Sequence, residues 1–443
     1  MAEGRFDPPW TGGPLAGLRV IDAGVLFAGP VIATLLADFG ADVVKIEHPR
    51  GDALRTLGWK KDDVSLWWAF VNRNKRLVSI DFSKEDGAQL LRELAAGADV
   101  LIESYRPGTL ERWGIGPEVL HAINPGLVIV RTSGFGQTGP YSPRPGFGTV
   151  AESISGFAHI NGHPDGPPTL PPFALGDGVA SLFGTFATMF ALFHRDRHQA
   201  PGQVIDLAIY EPLFWLLGPQ ALVYDQLGYV QGRTGSSTEW TAPRNAYQSK
   251  DGRWLGLSAS SQSIAERVMR LVGHPELIDQ PWFKDHSGRV ENQKELDRVI
   301  GAWIAAHTAD EVMAAFEEQE AVIGPIYSIA DIFDDPQYAA RETITTVDDP
   351  ILGPARVQNA IPRLVDTPGK VRHLGGWLGQ DNDAVLGGEL GHSPEDLARW
   401  LATGVIGRGV APPARPGAIS GGATDTDATV QVGKDGTGSP APG

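Results

Sequence analysis

A single carboxylate, Asp177, lies between two glycines directly ahead of the longest uncharged stretch of the chain, residues 178–193. Gly176 and Gly178 let a bulky partner approach this carboxylate closely. The start of a helix also offers unpaired N–H groups and a positive dipole end, which favour an ionised aspartate and any oxyanion beside it. The spacing therefore indicates one of two uses of Asp177: a helix N-cap, which is a common use of aspartate, or a catalytic carboxylate.

Basic side chains cluster in residues 72–76 and again at Arg106 and Arg112. Each cluster lies beside the end of a predicted strand, which is where open α/β sheets bind ligands. Such a run is often only a solvated loop, but here it offers local positive charge for a phosphate-bearing ligand. The whole chain has a net charge of −16, which argues against nucleic acid or an anionic membrane as the partner.

Several catalytic classes lack their motifs in this chain. There is no cysteine, which excludes thiolate catalysis and disulfides. The eleven histidines form no HExxH motif, and we expect no metal site. The segment 132–136 is not a GxSxG turn, and the first glycine loop, residues 24–29, is not a GxGxxG fingerprint.

The first half of the chain alternates between short apolar runs and helical patterns. Residues 18–47 are typical of strand, helix and strand, and further strands are predicted at 76–82, 100–103, 127–133 and 203–208. This alternation predicts an α/β fold with a doubly wound, mostly parallel, Rossmann-like sheet. Residues 178–195 predict a long helix that is buried in the core rather than inserted in a membrane.

The composition changes after about residue 228, and we predict four segments. A large α/β domain spans residues 14–228, and a smaller α+β domain at 229–335 begins with a hairpin at 245–257. Residues 350–406 are expected to return to the large domain. Residues 410–443 are predicted to be a disordered tail, because they contain almost no large apolar residue. The start of the chain lacks the apolar core of a signal peptide, so we expect a cytoplasmic protein.

An ordered set of motifs resembles family III CoA-transferases, the group that contains formyl-CoA transferase and, as relatives, the α-methylacyl-CoA racemases. The resemblance covers roughly residues 14–406 and is specific because its motifs occur in order. They are LAGLRVID at 15–22, AGP at 28–30, GADVVKIE at 40–47, NKR at 74–76, RPG at 106–108, SGFGQTGPY at 133–141 and GQVIDL at 202–207.

The resemblance implies that Asp177 is the catalytic nucleophile. It also implies contacts to coenzyme A from residues in the first loop, after the second strand, at the end of the third strand and after the fourth strand. These residues are Phe27, Ala28, His48, Ile80, Asp81, Phe82, Ser83, Ser104, Tyr105, Arg106 and Arg112. The chain departs from the family at Phe27, where formyl-CoA transferase has glutamine, at His48, where arginine is often found, and at Phe147–Gly148, where a tyrosine and an acid are common.

The implied activity is the transfer of CoA from an acyl-CoA donor, such as succinyl-CoA, to a carboxylic acid acceptor. The thioester is a substrate, and we expect no permanently bound cofactor. The alternative is an α-methylacyl-CoA racemase or epimerase, although the histidine of those enzymes is replaced here by Phe147. His159 and His163 are the nearest downstream candidates for that base. A third possibility is a non-catalytic module that binds CoA or NAD. The resemblance further implies an interlocked homodimer.

Overall fold

A six-stranded parallel sheet forms the centre of the protein, which we describe from a computed structural model covering residues 12–410. The strand order is β3-β2-β1-β4-β5-β6, which is the order of doubly wound nucleotide-binding folds. The predicted α/β class is therefore confirmed. The strands are β1 (Arg19–Ala23), β2 (Asp42–Glu47), β3 (Lys75–Ser79), β4 (Val100–Glu103), β5 (Val128–Ser133) and β6 (Val204–Ala208).

Both faces of this sheet are covered by helices. Successive residues of a strand point to opposite faces, and in β1 Val20 belongs to one apolar cluster while Ile21 belongs to the other. This two-sided burial explains the continuous apolar runs of the central strands. The helices of this part of the chain are α1 (Ala28–Asp38), α2 (Leu175–His198), Leu66–Val71, Glu85–Ala96, Thr109–Arg112, Pro117–Ile123, Gly148–Ile154, Phe157–Ile160, Tyr210–Leu216 and Gln220–Leu227, with a 3₁₀ turn at Ala53–Arg55 and a small hairpin of Lys60–Lys61 with Val64–Ser65.

Helix α2 packs closely along α1. A Cβ atom added to Gly184 would lie 2.9 Å from Cγ1 of Ile32, so only glycine permits this approach. The Ser181 hydroxyl donates to the Ala28 carbonyl oxygen over 2.9 Å and ties the start of α2 to the start of α1. In the described part of the chain, α2 alone is long and apolar enough to cross a membrane by length and composition. The predicted core helix is therefore confirmed only on the side that contacts α1, because Leu182, Phe190 and Phe193 on α2 are exposed.

A second apolar core forms around an antiparallel sheet of three strands, Arg244–Gln248, Trp254–Ser258 and Ile323–Pro325. The predicted hairpin is confirmed, since Gln248 pairs with Trp254 on either side of the turn. The three predicted helices of this part also occur, each within a few residues of its expected limits. The helices are Gln262–Leu271, His286–Glu291, Gln293–Ala305 and Ala309–Glu318, with 3₁₀ turns at Pro275–Leu277 and Pro281–Lys284.

The last described segment returns to the first sheet and runs beside β3. Asn382 Oδ1 accepts from the Ser79 N–H over 3.0 Å, and the Val405 carbonyl accepts from the Asp81 N–H over 2.8 Å. The predicted segment limits stay a prediction, and the predicted tail lies outside the described residues apart from Val410. The remaining elements are helices Ile329–Asp334, Pro336–Ala340 and Pro394–Thr403, the hairpin of Ile344–Asp349 with Gly353–Gln358, and a π-helical turn at Asp383–Glu389.

Candidate active site

A cavity of about 610 Å³ opens at the carboxyl ends of β1, β4 and β5. The strand order reverses between β1 and β4, and this is the place where doubly wound sheets bind their ligands. Three of its walls are the loops that follow these strands. The opposite wall comes from residues 144–149 and 171–174, and Asp177 faces the same space.

The loop after β1 is held from the side by the loop after β4. The Val25 N–H donates to Ser104 Oγ over 2.7 Å. Gly24 lies so close to the first turn of α1 that a Cβ atom would be 2.8 Å from Cδ of Pro30. Leu26, two residues after Gly24, has φ of 62°, an uncommon conformation for a non-glycine residue. The cavity therefore has a fixed backbone wall at the start of α1.

Beneath this loop lies a network of fully buried charges. Lys75 Nζ donates to Asp22 Oδ2 over 2.8 Å and to the Pro30 carbonyl over 2.7 Å, while Lys45 Nζ donates to the Gly24 carbonyl. Asp22 Oδ1 in turn accepts from the Gly24 N–H over 3.0 Å. Burial lowers the pKa of Lys75 to about 8, and the adjacent Asp22 opposes that shift. Buried charges of this kind persist only when they are paired and hydrogen-bonded, so the network fixes the loop.

Asp177 is the third residue of α2, and the N-cap of that helix is Ala174. The N-cap interpretation of Asp177 is therefore wrong. The Gly-Asp-Gly triplet belongs to the first turn of the helix, although its glycines favour a turn more than a helix. In that first turn the carboxylate lies at the positive end of the helix dipole.

Burial raises the pKa of Asp177 to about 6, and the nearby Glu152 carboxylate adds to the effect. Glu152 is 3% exposed, and its Oε1 accepts from the Gly176 N–H over 3.0 Å. Two carboxylates thus face one cavity, and Glu152 was not anticipated from the sequence. It occurs in no motif, and only the packing of helix Gly148–Ile154 against α2 brings it to the site.

Gly148 lies directly against the Asp177 side chain. A Cβ atom at this position would lie 2.9 Å from Cγ of Asp177 and closer still to its Oδ2. A residue with a side chain would therefore push the carboxylate from its place. This glycine stands where the family often has an acid, and the space that an acidic side chain would need is filled here by Asp177 itself.

The sequence predicts unpaired N–H groups at the start of this helix that favour an oxyanion, and Gly176 and Gly178 were the expected donors on either side of Asp177. In the structure the Gly176 N–H is bonded to Glu152, and the Gly178 N–H donates to the Ala174 carbonyl over 3.0 Å. Both donors are already satisfied, so this expectation is not supported.

The cavity brings together one part of the expected CoA-contacting set. Its lining includes Asp177 and five of the other expected residues, namely Phe27, Ala28, Ser104, Tyr105 and Arg106. The main chain of Tyr105 is held in place because its N–H donates to the buried Glu103 carboxylate over 2.6 Å. These residues converge because their loops leave neighbouring strands at the same sheet edge.

The other expected residues lie outside the cavity, along the same edge of the sheet. His48 Nε2 is 3.7 Å from Asp81 Oδ2, and the Ser83 hydroxyl donates to Asp81 Oδ1 over 2.6 Å. Partial burial lowers the pKa of His48 despite the opposing charge of Asp81. This shift disfavours a positive charge at the position where arginine is often found.

The side chains of Ile80 and Phe82 are buried in the core, at 2% and 4% exposure. Any contact that they make with a ligand is therefore limited to their main-chain atoms. Arg112 is exposed and donates to the Thr109 hydroxyl over 2.9 Å. Two histidines, His159 and His163, were the remaining candidates for a racemase base, and neither lines the cavity.

The chain is similar to named CoA-transferases over most of its length. It is 41% identical to the succinyl-CoA–D-citramalate CoA-transferase of Chloroflexus aurantiacus, over 89% of this chain and 98% of that protein. It is 39% identical to the succinyl-CoA–L-malate CoA-transferase alpha subunit of Chloroflexus aurantiacus, over 89% of this chain and 92% of that protein. A CAIB/BAIF family protein from Brucella suis has a similar crystal structure, with a TM-score of 0.75, 31% identity, and coverage of 85% of this chain and 99% of that chain.

A family model described as CoA-transferase family III matches residues 15–382. This range includes Asp177, every expected CoA-contacting residue, and all six strands of the parallel sheet. Together with the strand order and the position of the cavity, the match gives a conclusion that the motifs alone had only suggested: this chain belongs to the family III CoA-transferases, which are enzymes.

Proposed function

We propose that the protein transfers CoA from succinyl-CoA to a carboxylic acid and that Asp177 is the nucleophile. The observation that carries the proposal is that Asp177 lines the same cavity as the loops that the family resemblance assigns to CoA. The named relatives from Chloroflexus aurantiacus use succinyl-CoA as donor, and this supports the same donor here.

The chemistry requires a group that holds the acyl unit and then the CoA unit. The Asp177 carboxylate attacks the thioester carbonyl carbon, which gives a mixed anhydride and releases CoA thiolate. The thiolate then attacks the Asp177 carbonyl carbon of the anhydride, which releases the donor acid and leaves an aspartyl-CoA thioester. The acceptor carboxylate opens this thioester to a second anhydride. The thiolate finally attacks the acceptor carbonyl, so that the new acyl-CoA forms and Asp177 is free again.

The pH profile of transfer should report the ionisation of Asp177. Only the ionised carboxylate attacks, so with a pKa of about 6 the rate should rise with pH and reach half its maximum near that value. Glu152→Gln removes a like charge but keeps an oxygen that accepts from Gly176, so its acid limb should move to lower pH. Initial rates at a succinyl-CoA concentration well below KM, which report the ionisation of the free enzyme, test both expectations. Identical profiles for the wild type and the variant would contradict the role of Glu152.

We also propose how CoA lies in the protein. The acyl end and pantetheine arm occupy the cavity between the loops at Phe27 and Ser104. Arg106 binds a phosphate at the mouth of the cavity, and the nucleotide extends along the sheet edge toward His48 and Asp81. The support is the shared edge of these groups and the exposure of Arg106.

The acceptor is tested with a panel of acids. The enzyme is incubated with succinyl-CoA or acetyl-CoA and one acid at a time, and each new thioester is identified by its mass. We expect acceptor-dependent thioesters, with the highest rates among dicarboxylic acids related to malate, citramalate or glutarate.

The racemase alternative predicts deuterium entry at the α-carbon of a branched acyl-CoA in the absence of any acceptor. It loses support because no histidine of the described residues lines the cavity.

We further propose a homodimer in a cytoplasmic protein. The outer face of α2 and the two helices that follow β6 expose large apolar side chains that no described residue covers, and a second copy of the chain would bury them. The expected mass by light scattering is twice that of the chain, and a monomer would contradict the proposal. The exposed apolar side chains that the second copy would bury include Leu182, Phe190, Phe193, Trp215 and Leu227, at 59–75% exposure.

A further inference from the structure

We propose that Arg144 binds the distal carboxylate of a dicarboxylic acyl group and so selects dicarboxylic substrates. This inference rests on the proposed function and adds the residue that recognises the acid. The described lining of the cavity contains two acidic residues, Glu152 and Asp177, and two basic residues, Arg106 and Arg144. A second carboxylate on the substrate would be repelled by the two acids unless a cation compensates for them.

The two arginines occupy different parts of the cavity. Arg106 follows β4, in the loop that bonds to Val25, and therefore lies on the side assigned to CoA. Arg144 begins a five-residue segment that ends at Gly148, which lies against the Asp177 carboxylate. Arg144 and Gly148 are four positions apart in the sequence, so their Cα atoms are at most roughly 14 Å apart. Arg144 is therefore the cation on the acyl side.

Contacts with aromatic rings orient the Arg144 side chain. Its guanidinium carbon lies 3.8 Å from the centre of the Tyr141 ring, and the main-chain N–H of Arg144 donates to the Tyr141 carbonyl over 2.9 Å. Tyr141 in turn packs edge-on against Phe135, with ring centres 5.8 Å apart. A guanidinium that lies over an aromatic ring can still use the N–H groups at its edge. These N–H groups lie in the guanidinium plane and match the two oxygens of a carboxylate.

The segment that carries Arg144 is also fixed in place. A Cβ atom on Gly146 would lie 2.7 Å from Cα of Gly134, so the two backbones touch beside the cavity. Within the described residues, Arg144 forms no ion pair with an acidic side chain. The arginine is thus oriented but not neutralised, which is the state that an anion-binding residue requires.

The experiment compares two thioesters that differ only in the distal carboxylate, succinyl-CoA and butyryl-CoA. Binding of each is measured by calorimetry with Asp177→Ala protein, so that turnover does not interfere, and with the same protein carrying Arg144→Gln. The loss of one charged hydrogen-bond pair predicts about 10- to 100-fold weaker binding of succinyl-CoA. Butyryl-CoA should bind both proteins with affinities within about twofold of each other.

Two further variants separate the alternatives. Arg144→Lys should recover part of the succinyl-CoA affinity, because it restores the charge without the planar fork. Arg106→Gln is the matched control and should weaken both thioesters equally, since it faces the CoA moiety. An equal loss of both thioesters in Arg144→Gln, or no loss of either, would overturn the inference. The readout is binding and not transfer, so it stays informative even if the acid panel fails to show any transfer.

Discussion

Asp177→Ala should lower CoA transfer by roughly 10³-fold or more, because no other described residue that lines the cavity can hold the acyl unit and then the CoA unit. The second cavity carboxylate, Glu152, is 3% exposed and already bonded to the Gly176 N–H, so it cannot take over. The measurement is the rate of acceptor-dependent thioester exchange. Calorimetry with CoA should show that the variant still binds CoA, since the CoA loops are untouched.

A matched control is Asp165→Ala, which removes an exposed carboxylate in the loop before α2 and should leave the transfer rate unchanged. The nucleophile itself can be trapped during turnover with hydroxylamine or borohydride, and the modified peptide should contain Asp177. Continued product formation with an unmodified Asp177 peptide would contradict the assignment. Retained transfer in Asp177→Ala would contradict it equally.

The same substitution should make the protein more stable at neutral pH. The pKa of Asp177 is about 6 in the folded chain, against 3.8 in the unfolded chain, so the folded state keeps a proton that the unfolded state has lost. Stability therefore falls as pH rises through this window, and the ionised carboxylate costs up to about 3 kcal/mol above it. We expect the advantage of Asp177→Ala over the wild type to grow by roughly 1–1.5 kcal/mol between about pH 5 and 8 in urea unfolding.

The sheet was predictable because each of its strands has a local pattern. Strands such as Val100–Glu103 and Val128–Ser133 begin with three consecutive apolar residues, and a short run of this kind between loops is typical of a covered parallel sheet. The start of α2 was predicted three residues late. Its first turn contains two glycines, which have a low helix propensity, and tertiary contacts with α1 override that local preference.

The site was predictable only where one motif places one residue. The two flanking glycines and the helix that follows mark Asp177 in the sequence. Glu152 is 25 positions away from it, and only the packing of two helices brings it to the site. Likewise Ile80 and Phe82 stand next to Asp81 in the sequence, but their side chains pack into the core. The strand order decides which loops meet in one cavity, and that order cannot be predicted from the local sequence pattern of any one strand.

Gly148→Ala should lower CoA transfer by about 100-fold with little change in stability. The added methyl group would overlap the Asp177 carboxylate, which is the far end of a side chain and can turn away at little cost to the fold. Catalysis is less tolerant, since a displacement of about 1 Å of a reacting group can cost about 10²-fold in rate. Transfer rates and urea unfolding, measured on the same preparation, separate the two effects.

Gly178→Ala is the matched control, because it adds the same methyl group on the other side of the nucleophile in sequence. A Cβ atom there would meet nothing within 4 Å, and alanine favours the helix more than glycine does. We therefore expect Gly178→Ala to retain its transfer rate and to gain up to about 1 kcal/mol of stability. Equal rates for the two variants would show that the position of the carboxylate against Gly148 does not matter. If only Gly148→Ala loses its transfer rate, the glycine at this position is needed because it leaves room for the attacking oxygen of Asp177.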